Sequence, residues 1–218
     1  MAWDIAIQQA AEHFPVRSCL YILFGYLSGS VLFARIFGWL FKGKDVASES
    51  ADKNPGTANA FLYGGFWCGV LTLCGDLGKG FFPVWLYLRE KPLNLCGPEL
   101  SFILAAPVVG HILPFFGRYR GGKGIAVTFG CLLGLAPEMK PVLVLAFLFL
   151  FFSLVVRVTP HYDRTLWTYR CAAAGMFLCV NNRYIIAAFL LTALAVNANL
   201  RFSDEKREKC QVNLLWKH

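Results

Sequence analysis

Charge is scarce in this chain of 218 residues: 16% of them are charged, where soluble domains carry about 25%. Acids are scarcer still, 13 against 21 Lys and Arg. With 57% hydrophobic residues and a mean hydropathy of +0.52, this balance excludes an ordinary soluble domain. The 20 Phe and 6 Trp exceed what a soluble core of this length needs. The 8 cysteines contain no Cys-x-x-Cys spacing and fall mostly inside apolar runs. That excludes a disulfide framework and a thiolate zinc site, and leaves them to pack as small hydrophobes. The acids are too dispersed to converge on a metal, and no cofactor is expected. The opening MAWDIAIQQAAEHFPVR has an acid where a secretory leader has a basic region, so it reads as a short amphipathic lead-in. No repeat of fixed period and no inverted pair of similar halves is visible.

What is present is a succession of apolar runs. A bilayer core of about 30 Å takes about 20 helical residues. Seven candidates follow: 18–41, 59–88, 99–116, 122–136, 141–156, 166–180 and 184–200. The fourth and sixth are short for full spans. The expected fold is therefore all-α, a polytopic transmembrane helix bundle of about seven spans in one integral-membrane domain. Residues 201–218 form a basic tail. Formal net charge is +8, but it lies between the apolar runs, which speaks against a nucleic-acid partner and for contact with membrane lipid. Alternate connections carry fourteen basic residues (Lys42, Lys44, Lys53, Arg118, Arg120, Lys123, Arg157, Arg164, Arg170, Arg201, Lys206, Arg207, Lys209, Lys217) against five (Arg17, Arg89, Lys91, Lys140, Arg183). The positive-inside rule then places the N-terminus outside and the tail in the cytoplasm.

The unusual stretch is HILPFFGRYRGGKGIAVTFG, residues 111–130, with three cations and three glycines inside 118–124. On the seven-span reading it lies on the cytoplasmic face and enters the fourth helix. Glycines let backbone N–H groups approach an anion, a helix N-terminus adds partial positive charge, and Arg120 and Lys123 add two full charges. Such an arrangement suits a phosphate. The plainer alternative is a positive-inside loop whose glycines make a tight turn, since GGKG is not the full P-loop pattern.

DVASESADKNPGTANAF, residues 45–61, is the other large connection on that face. Its run Asn54, Pro55, Gly56, Thr57, Ala58, Asn59 is small, polar and turn-forming. Asn amides and Thr hydroxyls donate to phosphate oxygens, and Thr57 or Asn59 is placed to cap the second helix. An ordinary capped loop would look the same. Two anion-type helix starts on one face nonetheless favour phosphate more than either does alone.

Within the second run, LCGDLGKGFF puts Asp76 and Lys79 three residues apart on one helical face. Intramembrane charges are costly unless paired and mark functional sites by default; a pair that only anchors helix packing is the alternative. Asp76 is expected to pair with Lys79 or with a cation of the GGKG loop. His111 precedes Pro114, which breaks or kinks the third helix. It is either a hydrogen-bonded structural residue or a base. In GYLSGSVLFARI, Gly29 and Ser30 read as close helix packing, and Arg35 as a cation in the cytoplasmic half.

Taken in order, these motifs resemble the bacterial integral-membrane acyl-phosphate:glycerol-3-phosphate acyltransferases, whose pattern includes GSGNxGATN, DxxKG and GHxxPxFxxFKGGKGVAT. The resemblance covers residues 25 to about 130 and is most specific in the GHxxP…GGKG segment. It implies transfer of a fatty acyl group from acyl phosphate to the 1-hydroxyl of sn-glycerol 3-phosphate, giving lysophosphatidic acid and phosphate at the cell membrane. It further implies that Asn54, Gly56, Thr57 and Asn59 form one phosphate-binding run and Arg120, Gly121, Gly122 and Lys123 the other. Lys123, His111 and Asn59 are then the catalytic residues, supported by Ser30, Lys53, Asp76 and Lys79. Acyl phosphate is a mixed anhydride with a good leaving group, so positioning and charge stabilisation suffice. The His-x4-Asp pair of other acyltransferases is absent: Phe115 and Phe116 follow His111, and His13 and His161 lack the acid as well. A substrate phosphate oxygen is the proton acceptor this leaves.

The chain departs from the pattern at substrate-facing positions. GSGN has become Ala51, Asp52, Lys53, Asn54, and GATN has become Gly56, Thr57, Ala58, Asn59. The Arg expected soon after Asp45 is missing, with Ala47 there, and VNANLRFSDEKREK lacks the family's terminal His. Two other readings therefore stand beside the acyltransferase: a transporter or binding protein for a phosphorylated small molecule, and a diverged family member with another acceptor or a regulatory role.

Overall fold

The computed structural model describes residues 16–50, 52–116, 121–202 and 209–214. The amphipathic lead-in, Arg118 and Arg120, and most of the basic tail lie outside the described residues.

Seven helical legs follow one another among the described residues. The first is made of α1 (Val16–Gly29) and α2 (Phe33–Lys42). Two short helices, α3 (Val46–Glu49) and α4 (Thr57–Asn59), with a wide π turn at Ala60–Gly64, lead into α5 (Phe66–Glu90). Then come α6 (Glu99–Ile112), α7 (Ile125–Leu133) and α8 (Lys140–Leu150), the last extended by a π turn at Phe151–Val155. The legs end with α9 (His161–Cys179) and α10 (Arg183–Arg201). Strand β1 (Val156–Thr159) pairs antiparallel with β2 (Gln211–Leu214), with Val156 opposite Leu214. Part of the expected tail thus folds back onto the connection between the fifth and sixth legs.

The expected helical bundle is what forms. The first run, expected unbroken over 18–41, is interrupted at 30–32, where Leu32 has φ −96 and ψ 84. Ser30 Oγ donates to the Tyr26 carbonyl at 2.8 Å, a side chain competing with the helix ladder. The fourth leg is also short. Nine residues of α7 rise about 13 Å, a little under half a bilayer core. Val16–Lys42 and Arg183–Arg201 are each long and apolar enough to cross a membrane, whereas Glu99–Ile112 and Lys140–Val155 are apolar but shorter.

The core is organised around α6, twelve of whose 14 residues are buried. Leu100, Ile103, Leu104 and Val108 of α6 pack with Val84, Val127, Cys131, Leu145, Tyr169, Met176, Ile185 and Phe189. Helix α1 crosses α6 with backbones nearly touching: a Cβ at Gly29 would run into the Pro107 carbonyl, and one at Gly110 into the Tyr26 carbonyl. That explains why this crossing uses glycine. Outside, the surface is apolar, with Leu40 71% and Leu178 87% exposed alongside Leu20, Trp39 and Phe147. Patches of that kind belong against lipid rather than water.

Apart from residues buried within the helices, polar groups collect at the two ends. At one, Arg17 pairs with Glu90 at 2.7 Å, and buried Glu99 is held by Lys91 at 2.7 Å, the Tyr87 hydroxyl at 2.8 Å and the Gly97 N–H at 2.9 Å. Ser101 Oγ donates to the Tyr184 carbonyl there, at 2.8 Å, so α6 and α10 start together. The 44–59 connection, residues 121–124 and the C-terminal part of α10 meet at the other end.

Candidate active site

The loop before α5 is anchored first. Asp45 caps α3, accepting from the Ala47 N–H at 3.0 Å, and forms a tight, largely buried ion pair with Arg35 of α2. The positive partner of Asp45 thus comes from the first leg. Arg35 stood out in the sequence only as a cation, because ten residues and a helix end separate it from its partner.

Asp52 is the hub of the loop. Its Oδ1 accepts from the Asn59 amide at 2.8 Å and from the Asn54 N–H at 3.2 Å. Its other oxygen meets Lys123 Nζ at 3.0 Å, with the two side chains only 12% (Lys123) and 20% (Asp52) exposed. The Asn59 amide donates its second bond, also 2.8 Å, to the Asn54 carbonyl. Burial alone pushes the Asp52 carboxyl up, but Asn59, Lys123 and the Asn54 N–H together hold it below the ordinary carboxylate range. The two connections expected to face one another therefore do meet, joined by a carboxylate that the sequence reading treated only as a departure. Lys53 adopts φ +49, the left-handed conformation that glycine favours.

Neither Thr57 nor Asn59 caps a helix as expected: Gly56 stands at the N-cap of α4 and Gly65 at that of α5, without side-chain caps. The Thr57 hydroxyl is instead buried against the Asp76 carboxylate, without a hydrogen bond of normal geometry. Asp76 pairs with Lys79 at 2.8 Å, both side chains 3% exposed. That resolves its partner in favour of Lys79 over the glycine loop. Lys79 Nζ also donates to the Val31 carbonyl at 2.6 Å and to His111 Nδ1 at 2.7 Å. Three acceptors thus meet the three protons of one ammonium. The break at 30–32 is what leaves the Val31 carbonyl free of the helix ladder and available to Lys79. Gly80, the last residue of the DLGKG motif, gives α5 its close approach to the Val127 carbonyl of α7.

An ammonium can only donate, so His111 Nδ1 accepts and the ring proton sits on Nε2. Nε2 faces the glycine loop: a Cβ at Gly122 would collide with it, and one at Gly121 would strike the His111 and Ile112 carbonyls. The Gly122 N–H donates to the His111 carbonyl at 3.0 Å. The paired glycines seat the loop on the end of α6, where the Gly122 N–H is taken up by the His111 carbonyl. His111 is 3% exposed, with Nδ1 held by Lys79. Gly124, at φ +81, turns the chain into α7.

Ser30 and Asn199 complete the support. Ser30 Oγ accepts from the Phe115 N–H at 3.1 Å, and the Tyr26 hydroxyl donates to the Leu113 carbonyl at 3.0 Å, tying the first leg to the end of α6. Asn199, near the end of α10, donates to the Gly122 carbonyl at 3.0 Å. It escaped the sequence reading, although an Asn closing an apolar helix was a visible signal. The supports run in a circuit from Asn59 through Asp52 and Lys123 to Gly122, then through His111, Lys79 and Asp76 back to Thr57.

Fold and site together define a polytopic helical membrane protein with a polar cluster of Asn59, Asp52 and Lys123 at one end of the bundle. The glycerol-3-phosphate acyltransferase family profile matches residues 19–207, and the chain belongs to that family. The glycerol-3-phosphate acyltransferase of Bordetella avium is 36% identical over 126 residues, covering 58% of this chain and 58% of that protein. The enzyme of Cupriavidus taiwanensis is 37% identical over 149 residues, 66% of this chain and 73% of that one. The match thus spans little more than half the length of the Bordetella relative. In three dimensions the chain is similar to PlsY, an integral membrane glycerol 3-phosphate acyltransferase, in its glycerol 3-phosphate form. The TM-score is 0.72 at 23% identity, over 85% of this chain and 88% of PlsY.

Proposed function

We propose that this protein moves a fatty acyl group from acyl phosphate to the 1-hydroxyl of sn-glycerol 3-phosphate, releasing lysophosphatidic acid and inorganic phosphate. The observation that carries the reading is the meeting of the two polar connections at Asp52 and Lys123, 3.0 Å apart. Membership of the family and the likeness to a PlsY form holding glycerol 3-phosphate support it over the transporter reading.

In the reaction the glycerol 1-hydroxyl oxygen bonds to the acyl carbon, the bond from that carbon to the phosphate oxygen breaks, and phosphate leaves. Lys123 and Asn59 stabilise phosphate charge as it develops, the kind of preorganised donor worth most in a site shielded from water. With His111 Nδ1 engaged by Lys79, the hydroxyl proton passes to a substrate phosphate oxygen. Gly56 and Asn54 shape the loop that presents Asn59, and Gly121 and Gly122 set the height of Lys123 above His111. Arg120, next to that loop in sequence, supplies a further cation. We place the protein in the cell membrane with its N-terminus outside, and with the active face and C-terminus in the cytoplasm, where glycerol 3-phosphate is at hand.

Purified protein in lipid nanodiscs, given acyl phosphate and radiolabelled glycerol 3-phosphate, is expected to form labelled lysophosphatidic acid with release of phosphate. Lys123→Ala should lower turnover about 10²- to 10³-fold, the loss typical of removing one charge-stabilising donor. No product from the unmodified protein, or undiminished turnover in the variant, overturns the assignment.

A further inference from the structure

Asp52 stands where the resembled motif has a serine, and its carboxylate occupies the donors that a bound phosphate would need. One oxygen takes the Asn59 amide and the Asn54 N–H, the other takes Lys123. These donors come from both connections, so a single side chain bridges the site from wall to wall. The pair is largely shielded, at 12% and 20% side-chain exposure, and is not a loose surface contact.

We propose that Asp52 acts as a built-in competing anion, holding Lys123 and Asn59 until a substrate phosphate displaces it. This rests on the acyltransferase reading above. An occupied donor set lowers the apparent affinity for an incoming anion by the fraction of time it stands open. The same occupancy keeps Lys123 and Asn59 correctly spaced in the empty site. Acyl phosphate and glycerol 3-phosphate present the same phosphate chemistry, so either can be the displacing ligand. The effect falls on binding and therefore on KM, with kcat carried by contacts made after Asp52 has moved away.

The test is Asp52→Asn in the full chain, which keeps an acceptor for Asn59 and Asn54 and removes the charge facing Lys123. Asp52→Ser, the residue of the resembled motif, carries the same expectation should the first variant not fold. Inorganic phosphate, titrated calorimetrically into each protein in nanodiscs, is expected to bind the variant about tenfold tighter, the worth of one charge-assisted hydrogen bond. In steady-state assays with each substrate varied in turn, the KM that falls identifies whose phosphate displaces Asp52. Phosphate binding equal to or weaker than in the unmodified protein overturns the inference and makes the carboxylate part of the binding site itself. Turnover with unchanged phosphate affinity would sink the competition and spare the enzyme; tighter phosphate without any turnover would do the reverse.

Discussion

Lys79→Met isolates the polar cluster inside the bundle. Methionine keeps the length and apolar stem of lysine while deleting the ammonium that Asp76, the Val31 carbonyl and His111 share at 2.8, 2.6 and 2.7 Å. Removing one partner of a buried ion pair costs about 3–5 kcal/mol, because the other charge is left without compensation. With both side chains 3% exposed, solvent does little to relieve Asp76. The two abandoned neutral acceptors overlap with that loss, so we expect a total near 4 kcal/mol. The midpoint of chemical unfolding in micelles, followed by tryptophan fluorescence, reads it directly. The double variant Asp76→Leu, Lys79→Met removes both charges and should recover roughly half, leaving about 2 kcal/mol for the unpartnered Val31 carbonyl and His111. A single-variant loss below about 1 kcal/mol, the worth of an exposed pair, would refute the reasoning. So would a double variant as unstable as the single one.

Two further outcomes are expected. Gly122→Ala places a methyl group against His111 Nε2, which lifts the loop carrying Lys123; turnover should drop by about 10- to 100-fold and stability by about 1–3 kcal/mol, and wild-type turnover in this variant would contradict the seating of the loop. The Asp52 carboxyl is held below its ordinary value of 3.8, so its link to Lys123 stabilises fully above that value and is lost as pH falls through the lower native one. The unfolding midpoint of the unmodified protein should accordingly exceed that of Asp52→Asn at pH near 6 and converge on it toward pH 3; a gap that holds or widens in acid would refute this link.

Much of the fold was legible because the constraint is local. A run of apolar residues declares a helix in lipid wherever its neighbours lie, and the runs 59–88, 99–116 and 184–200 overlap α5, α6 and α10. The break in the first leg was not legible, since it depends on Ser30 turning back to Tyr26 and receiving Phe115, a residue 85 positions away. Motif order grouped Lys79, His111 and Asn59, but the contacts each makes were not legible. Whether an imidazole is a base or a strut depends on what occupies Nδ1, and Lys79 reaches it from another helix. The GGKG glycines look the same in sequence whether they cradle an anion or seat a loop on His111.

By itself, then, the sequence determined a lipid-facing helical bundle, which follows from composition and residue order, and its motifs pointed to the family. Only the tertiary structure decided that Asp52 joins Asn59 to Lys123, that Arg35 serves Asp45, and that Asn199 holds the Gly122 carbonyl. Hydrogen bonds and ion pairs act over about 3 Å, and distances of that order between remote residues exist only once helices with glycine-thinned faces have packed.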